Sequence, residues 1–366
     1  MTGRPRKRIA LVTEAFHPSI GGQEVRFLEL GEMFTRAGWR VDVFTIACAS
    51  GLPKFEIIRG LRVHRLVEDT LYIRRGKRLP RRIATIVKFS VLVARRLARE
   101  RFDVALFNQW PVLPQILVGR PDDTLTVLDW CEHRSGFVWQ AINTLLAGAP
   151  HKHICVSDEL GRILKTRYGA SPVLAIPSGI ERDLYGRAAR KEGLLFFGRL
   201  VSHKHPELAI EATAKAREAG LRERLTIAGG GPLLEQLKAR YGNLDWLDIR
   251  GPVPDDEKRR LLAASRLLLL PSEREGFPRV VAEAMASGTP IVTTRCPDNG
   301  TVKVVEQYGC GVIADLNAES LAAAATDVLG SDEKWAALST AGIRNSLELE
   351  WQTLFSKLEA FLLCEN

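Results

Sequence analysis

The chain has 366 residues, 46% hydrophobic and 26% charged, enough for two soluble globular domains of ordinary size, each with its own core. Its longest apolar stretch, Ile83 to Ala94, is broken by Lys88 and falls short of the roughly 18 to 20 residues that span a bilayer, which excludes a transmembrane helix at this level. The formal net charge of +9 is uneven: residues 1–180 hold 28 Lys and Arg against 16 Asp and Glu, whereas residues 181–366 hold 24 against 27.

In chain order, the basic start MTGRPRKRIALVTEAF has too short an apolar run, Ile9 to Val12, for a signal peptide and reads as a first strand. A helix is expected from about Gly22 to Ala37, then a strand VDVFTI. Residues 74–101, RRGKRLPRRIATIVKFSVLVARRLARER, carry eleven Lys and Arg against one acid, which suits either an anionic partner or a solvated helix face. The strands DVALFN, TLTVLD and HICVS follow, separated by helical stretches; this alternation predicts parallel sheets with helices on both faces. The pattern pauses in SGIERDLYGRAARKEG, which places a domain boundary near residues 178–192.

The second half restarts with LLFFG, a helix from Pro206 to Glu218, RLTIAG, a helix from Gly231, LDIRG, a helix from Asp255, RLLLLP, a short helix around Glu283 and PIVTT. It is a second doubly wound unit, and beyond Ala318 the chain is expected to be helical. The six cysteines are scattered with no Cys-x-x-Cys pair, so neither a zinc framework nor a disulfide framework is expected, and a reducing cytosol fits them. Two His-Lys-His triplets, at 151–153 and 203–205, have no Cys or carboxylate beside them and read as partly exposed, unliganded histidines.

Chemistry concentrates in PSEREGFPRVVAEAMASGTP, residues 271–290. Around Glu283 the helix is apolar on nearly every side, so it is buried, and a buried carboxylate needs a partner. An internal Arg or Lys would serve, and so would a diol with two hydroxyl donors. Glu275 lies eight residues earlier, in the loop after RLLLLP and before Pro278. It reads either as an acid near a helix N-terminus or as a ligand contact beyond a strand's carboxyl end. Arg199 and Lys204 follow the strand LLFFG, where two cations suit a diphosphate. Gly21 and Gly22 open a helix after the first strand, where a ligand can approach the backbone; the triplet 229–231 fits this or a plain turn.

Together GGQE at Gly21 to Glu24, IPSGI at Ile176 to Ile180, FGRLVSHK at Phe197 to Lys204, AGGGP at Ala228 to Pro232 and EGFPRVVAEAMASGTPIV resemble glycosyltransferase family 4 over nearly the whole chain. The resemblance implies retaining enzymes of the GT-B fold: α/β, with two Rossmann-like doubly wound parallel-sheet domains facing a cleft. On this reading residues 1–185 form an acceptor-binding domain, 186–345 a nucleotide-sugar-binding domain, and 346–366 a C-terminal helix packing back on the first. It assigns Glu275, with Gly276, Phe277 and Pro278, to the donor sugar, Glu283 to the ribose, Arg199 and Lys204 to the diphosphate, and Gly22 to a backbone that approaches the donor. Such charge stabilisation needs no metal, and the chain has no Asp-x-Asp. Two departures stand out. CPDNGTVKVVE at Cys296 to Glu306 replaces the usual glycine pair, and His133 in TVLDWCEHRSG, the candidate for the acceptor-side catalytic histidine or else a loop histidine, is displaced from the strand end.

The expected function is transfer of a sugar from a UDP- or GDP-sugar to a hydroxyl of a glycan, lipid-linked or small natural-product acceptor, without cofactor, metal or nucleic acid. The expected location is the cytoplasm, with residues 74–101 offering contact to an anionic inner membrane face. A nucleotide-sugar epimerase and a non-catalytic nucleotide-sugar-binding protein are the alternatives.

Overall fold

The computed structural model describes residues 7–19, 21–72, 81–134, 136–188 and 191–364. Residues 74–80, the start of the basic stretch, lie outside them. The chain divides into two compact units, residues 1–177 with 355–366, and 178–354.

The first unit begins with β1 (Arg8–Val12), α1 (Gly22–Arg36) and β2 (Arg40–Ala47), followed by β3 (Phe55–Ile58) and β4 (Leu61–Glu68). It continues through α2 (Ile83–Arg99), β5 (Val104–Asn108), α3 (Leu113–Val118), β6 (Leu125–Trp130), α4 (Phe137–Gly148), β7 (Lys152–Cys155), α5 (Asp158–Tyr168) and β8 (Val173–Ala175). The strands order as β3-β4-β2-β1-β5-β6-β7-β8, and only β3 is antiparallel to its neighbour. Central strands such as β5, VALFN, are buried along their whole length, as expected of a parallel sheet covered on both faces. α5 has complete punctuation: the Ser157 hydroxyl accepts from Leu160 N at its start, and Gly169, at φ +66°, ends it.

The hairpin of β3 and β4 was not foreseen. Its turn is Arg59-Gly60, with φ of +50° and +86°, and an arginine carries none of the Asn-Gly or Asp-Gly signal that marks such turns in a sequence. His153 also departs from expectation. It sits in β7 with 0% exposure, not at a partly exposed position, and its Nδ1 accepts from Trp130 Nε1 at 3.1 Å. Burial holds its pKa down at about 4, so the ring is neutral.

The second unit runs β9 (Leu194–Phe197), α6 (Pro206–Glu218), β10 (Leu225–Ala228), α7 (Leu234–Tyr241), β11 (Leu247–Gly251), α8 (Asp255–Ala264) and β12 (Leu267–Leu270). Then come β13 (Arg274–Glu275), α9 (Arg279–Ala286), β14 (Ile291–Thr294), β15 (Asp298–Asn299), α10 (Thr301–Tyr308), β16 (Gly311–Ala314), α11 (Ala318–Leu329) and α12 (Asp332–Asn345). Its main sheet is wholly parallel, β11-β10-β9-β12-β14-β16, and β13 pairs with β15 in a separate two-residue ladder. α7 starts three residues later than Gly231 suggests, because that glycine is spent on a close backbone approach: a Cβ there would stand 2.2 Å from the Leu200 carbonyl oxygen.

The last helix, α13 (Trp351–Leu363), starts in the second unit, and from Phe355 onward it belongs to the first. Buried Lys152 donates to the carbonyls of Phe361 (2.9 Å) and Cys364 (2.6 Å), placing a cation on the helix C-terminus, where the dipole is negative. Trp39 Nε1 donates to Glu359 at 2.7 Å on the same side. Among the described residues no helix is long and apolar enough to cross a membrane.

Candidate active site

In a doubly wound sheet, ligands bind beyond the carboxyl ends of the strands where the strand order reverses. In the second unit that point lies between β9 and β12, since β10 and β11 continue one way and β14 and β16 the other. The loops leaving β9 and β12 meet there through a backbone bond, Glu273 N to His203 O at 2.8 Å. They meet again through an ion pair, Lys204 Nζ to Glu275 Oε1 at 2.5 Å, with both side chains mostly buried. The Ser272 hydroxyl donates to the same carboxylate oxygen at 2.9 Å. Two of the residues singled out in the sequence are therefore in direct contact.

The β9 loop can lie this low because the glycine triplet makes room. A Cβ on Gly229, at φ +143°, would stand 1.8 Å from the Gly198 oxygen. Arg199, from the same loop, is exposed and makes no ion pair among the described residues. His203 is held below its ordinary pKa by burial and by the charges of Arg274 and Lys204, so it adds no charge beside Lys204 at neutral pH.

A third loop, after β14, completes the arrangement. Buried Asn299 donates to Thr293 Oγ1 (3.1 Å) and the Thr294 carbonyl (2.8 Å) and accepts from Thr301 N (3.1 Å), tying the strand end to the start of α10. Gly300 N then donates to the Glu275 carbonyl at 2.8 Å. Only glycine fits at 300, because a Cβ would stand 2.0 Å from the Gly276 oxygen. The departure from the family pattern in this stretch is thus a scaffold that fixes the backbone of Glu275 and Gly276. Phe277 is half-buried against the α9 core, and buried Pro278 occupies the N-cap of α9, one residue before the first helical position where the sequence suggested it.

Glu283 belongs to a different set of contacts. It is 1% exposed on α9, and three donors converge on its Oε1: Tyr185 OH at 2.9 Å, Lys258 Nζ at 2.9 Å and Arg279 Nε at 2.8 Å. The internal-cation partner considered from sequence is present twice over. Arg279 was legible as an i, i+4 neighbour; Lys258 and Tyr185 were not, since nothing local points to them.

In the first unit the strand order reverses between β1 and β5. Gly22 is the first residue of α1, with no heavy atom within 4 Å of where a Cβ would be, so its backbone faces open space. Beside this reversal, the loops after β5 and β6 are joined by a buried amide. Gln109, 1% exposed, accepts on Oε1 from Cys131 N (3.1 Å), Cys131 Sγ (3.1 Å) and Glu132 N (3.2 Å), and donates to the Glu132 carbonyl (3.0 Å). Burial, then the charges of Glu132 and Asp129, push the Cys131 thiol well above its ordinary pKa, which keeps it a donor. The Gln23 amide donates to the Cys131 sulfur. His133 follows; its Nε2 lies 2.9 Å from Tyr168 OH, which also accepts from Asn143. Beside it the Arg134 guanidinium stacks on Trp110 and Trp139, 4.7 and 4.9 Å from their centroids, and pairs with Glu132. Neither Gln109 nor this aromatic cluster was read from the sequence.

Two family models match consecutive parts of the chain: Glycosyltransferase Family 4 over residues 20–184 and Glycosyl transferases group 1 over residues 180–345. The chain belongs to glycosyltransferase family 4. It is 28% identical over 388 residues to the D-inositol 3-phosphate glycosyltransferase of Kribbella flavida, covering 88% of each chain. It is 24% identical to the GDP-mannose-dependent alpha-(1-6)-phosphatidylinositol dimannoside mannosyltransferase of Mycobacterium tuberculosis, covering 89% of each. Among solved structures, the sucrose-phosphate synthase of Thermosynechococcus elongatus superposes with a TM-score of 0.78 at 19% identity, over 97% of this chain and 98% of the other. Anabaena Alr3699/HepE in complex with UDP and glucose gives 0.76 at 16%, over 98% and 99%. The fold is GT-B, and this family 4 member is a retaining glycosyltransferase that uses a nucleotide-sugar donor. The epimerase alternative is not favoured.

Proposed function

We propose that the second unit binds the donor at the β9/β12 switch point and that its residues act on the leaving diphosphate. The observation that carries this reading is the Lys204–Glu275 pair there. One ammonium proton on Glu275 leaves two for phosphate oxygens, and Glu275 keeps Oε2 for a sugar hydroxyl. Arg199, exposed on the same loop, adds the second positive charge. Glu283, whose three protein donors all use Oε1, offers Oε2 to a ribose hydroxyl.

With the diphosphate neutralised by two cations, transfer proceeds without a metal ion. The groups assigned here serve the leaving side, so attack comes from the leaving-group face and the departing phosphate oxygen takes the acceptor proton. Proton NMR of the fresh product, made in the presence of EDTA, tests both points. The expected result is an α-linked product from an α-linked donor at an undiminished rate; a β-anomer or loss of activity with the chelator would overturn it.

The acceptor on this reading is a hydroxyl of a phosphorylated polyol, free or lipid-linked, as the names of the two relatives suggest. One observation favours the lipid-linked form: on α2, Ile83 and Val87 are 60% and 45% exposed, with exposed Lys88, Arg95 and Arg99 on the same helix and Arg101 just beyond it. Part of the basic stretch is spoken for, since Arg81, Arg82 and Arg96 pair with Glu14, Asp69 and Glu100. Sedimentation with anionic vesicles at low salt tests the stretch, whose four remaining cations among the described residues would each contribute about 1 kcal/mol near such a surface. Failure to sediment would leave the soluble acceptor.

A further inference from the structure

The second unit has a pocket of about 420 Å³ lined by Arg182, Tyr185, Arg187, Ala286, Thr340 and Ile343. The size suits a sugar phosphate better than a bare inorganic ion. No carboxylate lines it. Each arginine is held by one hydrogen bond to a serine hydroxyl: Arg182 Nε to Ser346 at 3.3 Å and Arg187 Nη2 to Ser339 at 3.2 Å. Among the described residues neither forms an ion pair, so two guanidinium groups share one concavity with no anion to balance them.

The wall is built closely. Gly288, at φ +63°, has no room for a Cβ, which would stand 2.8 Å from Arg187 Nε and 2.7 Å from Ile343 Cδ1. Any other residue there would displace both the cation and α12. The charge of Arg187 is also felt nearby: burial first, and Arg187 second, hold the Lys191 pKa down at about 8.

Tyr185 is the wall that connects this pocket to the rest of the unit. Its hydroxyl donates to Glu283 Oε1 at 2.9 Å, and burial together with the Glu283 charge keeps that hydroxyl protonated. An occupant packed against the ring restrains the ring, and the ring restrains the carboxylate.

We propose that this pocket is a second anion site, for a small phosphorylated metabolite, and that its occupancy alters donor affinity through Tyr185 and Glu283. The binding claim stands on the pocket alone; the coupling claim rests on the donor reading above.

The probe is glucose 6-phosphate, with inorganic phosphate as the smaller comparator, titrated calorimetrically into the full-length protein with and without saturating UDP or GDP, whichever raises the melting temperature. Saturable binding of one glucose 6-phosphate per chain is expected, persisting with nucleotide present, weakened at least tenfold in the double variant Arg182→Gln, Arg187→Gln, and unchanged in Lys204→Ala. Nucleotide affinity should shift several-fold with glucose 6-phosphate in the parent. In Tyr185→Phe the sugar phosphate should still bind but the shift should vanish. Binding abolished by Lys204→Ala and spared by the arginine pair would place the anion at the donor site and overturn the proposal, as would no saturable binding in the parent. If neither nucleotide binds, the donor reading fails, while sugar-phosphate binding that depends on the two arginines still upholds the second site.

Discussion

Each sheet reverses strand order at one place, and the loop ties nearest to it differ in chemistry. In the first unit a neutral amide, Gln109, ties the loop after β5 to the loop after β6, beside the reversal, with four hydrogen bonds and 1% exposure. In the second the tie is an ion pair, Lys204 with Glu275, whose side chains keep 18% and 10% exposure. A buried amide whose oxygen accepts three hydrogen bonds from the next loop is a structural clasp. A partly exposed ion pair holds charge in reserve: its Coulombic gain is modest in that setting, and its unused protons and lone pair can be redirected to an anionic donor. One tie is thus neutral and closed, and the other is charged, as the proposed donor role requires.

The contrast is most exposed to failure at Lys204. Lys204→Ala should lower kcat by about 100- to 1,000-fold, the usual loss for one donor aimed at a developing negative charge, with little change in melting temperature. Gln109→Ala should do the opposite, lowering stability and leaving nucleotide affinity intact. Steady-state kinetics beside thermal melts for both variants would break the comparison if the two profiles coincide.

Glu283 sharpens it, as a charged group that is also a clasp. Glu283→Ala removes the shared buried acceptor of Lys258, Arg279 and Tyr185 and leaves Lys258 with the exposed Asp255, which should cost about 3 kcal/mol of stability. Urea unfolding of this variant against Glu275→Ala measures the difference. A Glu275 variant that is equally destabilised would erase the distinction between the two glutamates.

The buried histidine of the first unit gives a pH-dependent counterpart. The folded pKa of His153, about 4, lies below the ordinary 6.5, so its contribution is fully present above pH 6.5 and is lost as pH falls from there toward 4. The loss amounts to at most about 3 kcal/mol, from a shift converted at 1.36 kcal/mol per unit. His153→Gln should flatten that part of the stability profile. A variant whose stability still falls between pH 6.5 and 4 as steeply as the parent's would assign the effect to other groups.

The smallest effect is that of the amide itself. Gln109→Ala should cost about 1 to 2 kcal/mol, because the Cys131 and Glu132 donors lose their acceptor while nearby solvent recovers part of the loss. Chemical denaturation reads this directly, and an unchanged midpoint would mean that the loop after β6 is held by other contacts.

Much of this was legible before the fold was known. The apolar runs of β1, β5, β9 and β12 announce buried parallel strands, and alternation with helices fixes the doubly wound class, because a strand buried on both faces needs helices on both. The placement of Arg199, Lys204 and Glu275 after such strands pointed to one ligand end of the sheet. Hairpin β3–β4 was missed because its turn is Arg59-Gly60. His153 was misjudged because a polar residue on a strand does not reveal which face it takes.

The sequence by itself determined most of the strands and helices and the alternation that makes the class, since periodicity and loop chemistry are local properties of the chain. Tertiary structure alone decided who holds whom. Lys258 and Tyr185 reach Glu283 across 25 and 98 residues, Lys204 reaches Glu275 across 71, and Gln109 reaches Cys131 across 22. No local pattern encodes such pairings, because each depends on which strands become neighbours. The glycines at 229, 231 and 300 look alike in the sequence, yet each is required by a different carbonyl oxygen brought within about 2 Å of its missing Cβ by the packing of loops.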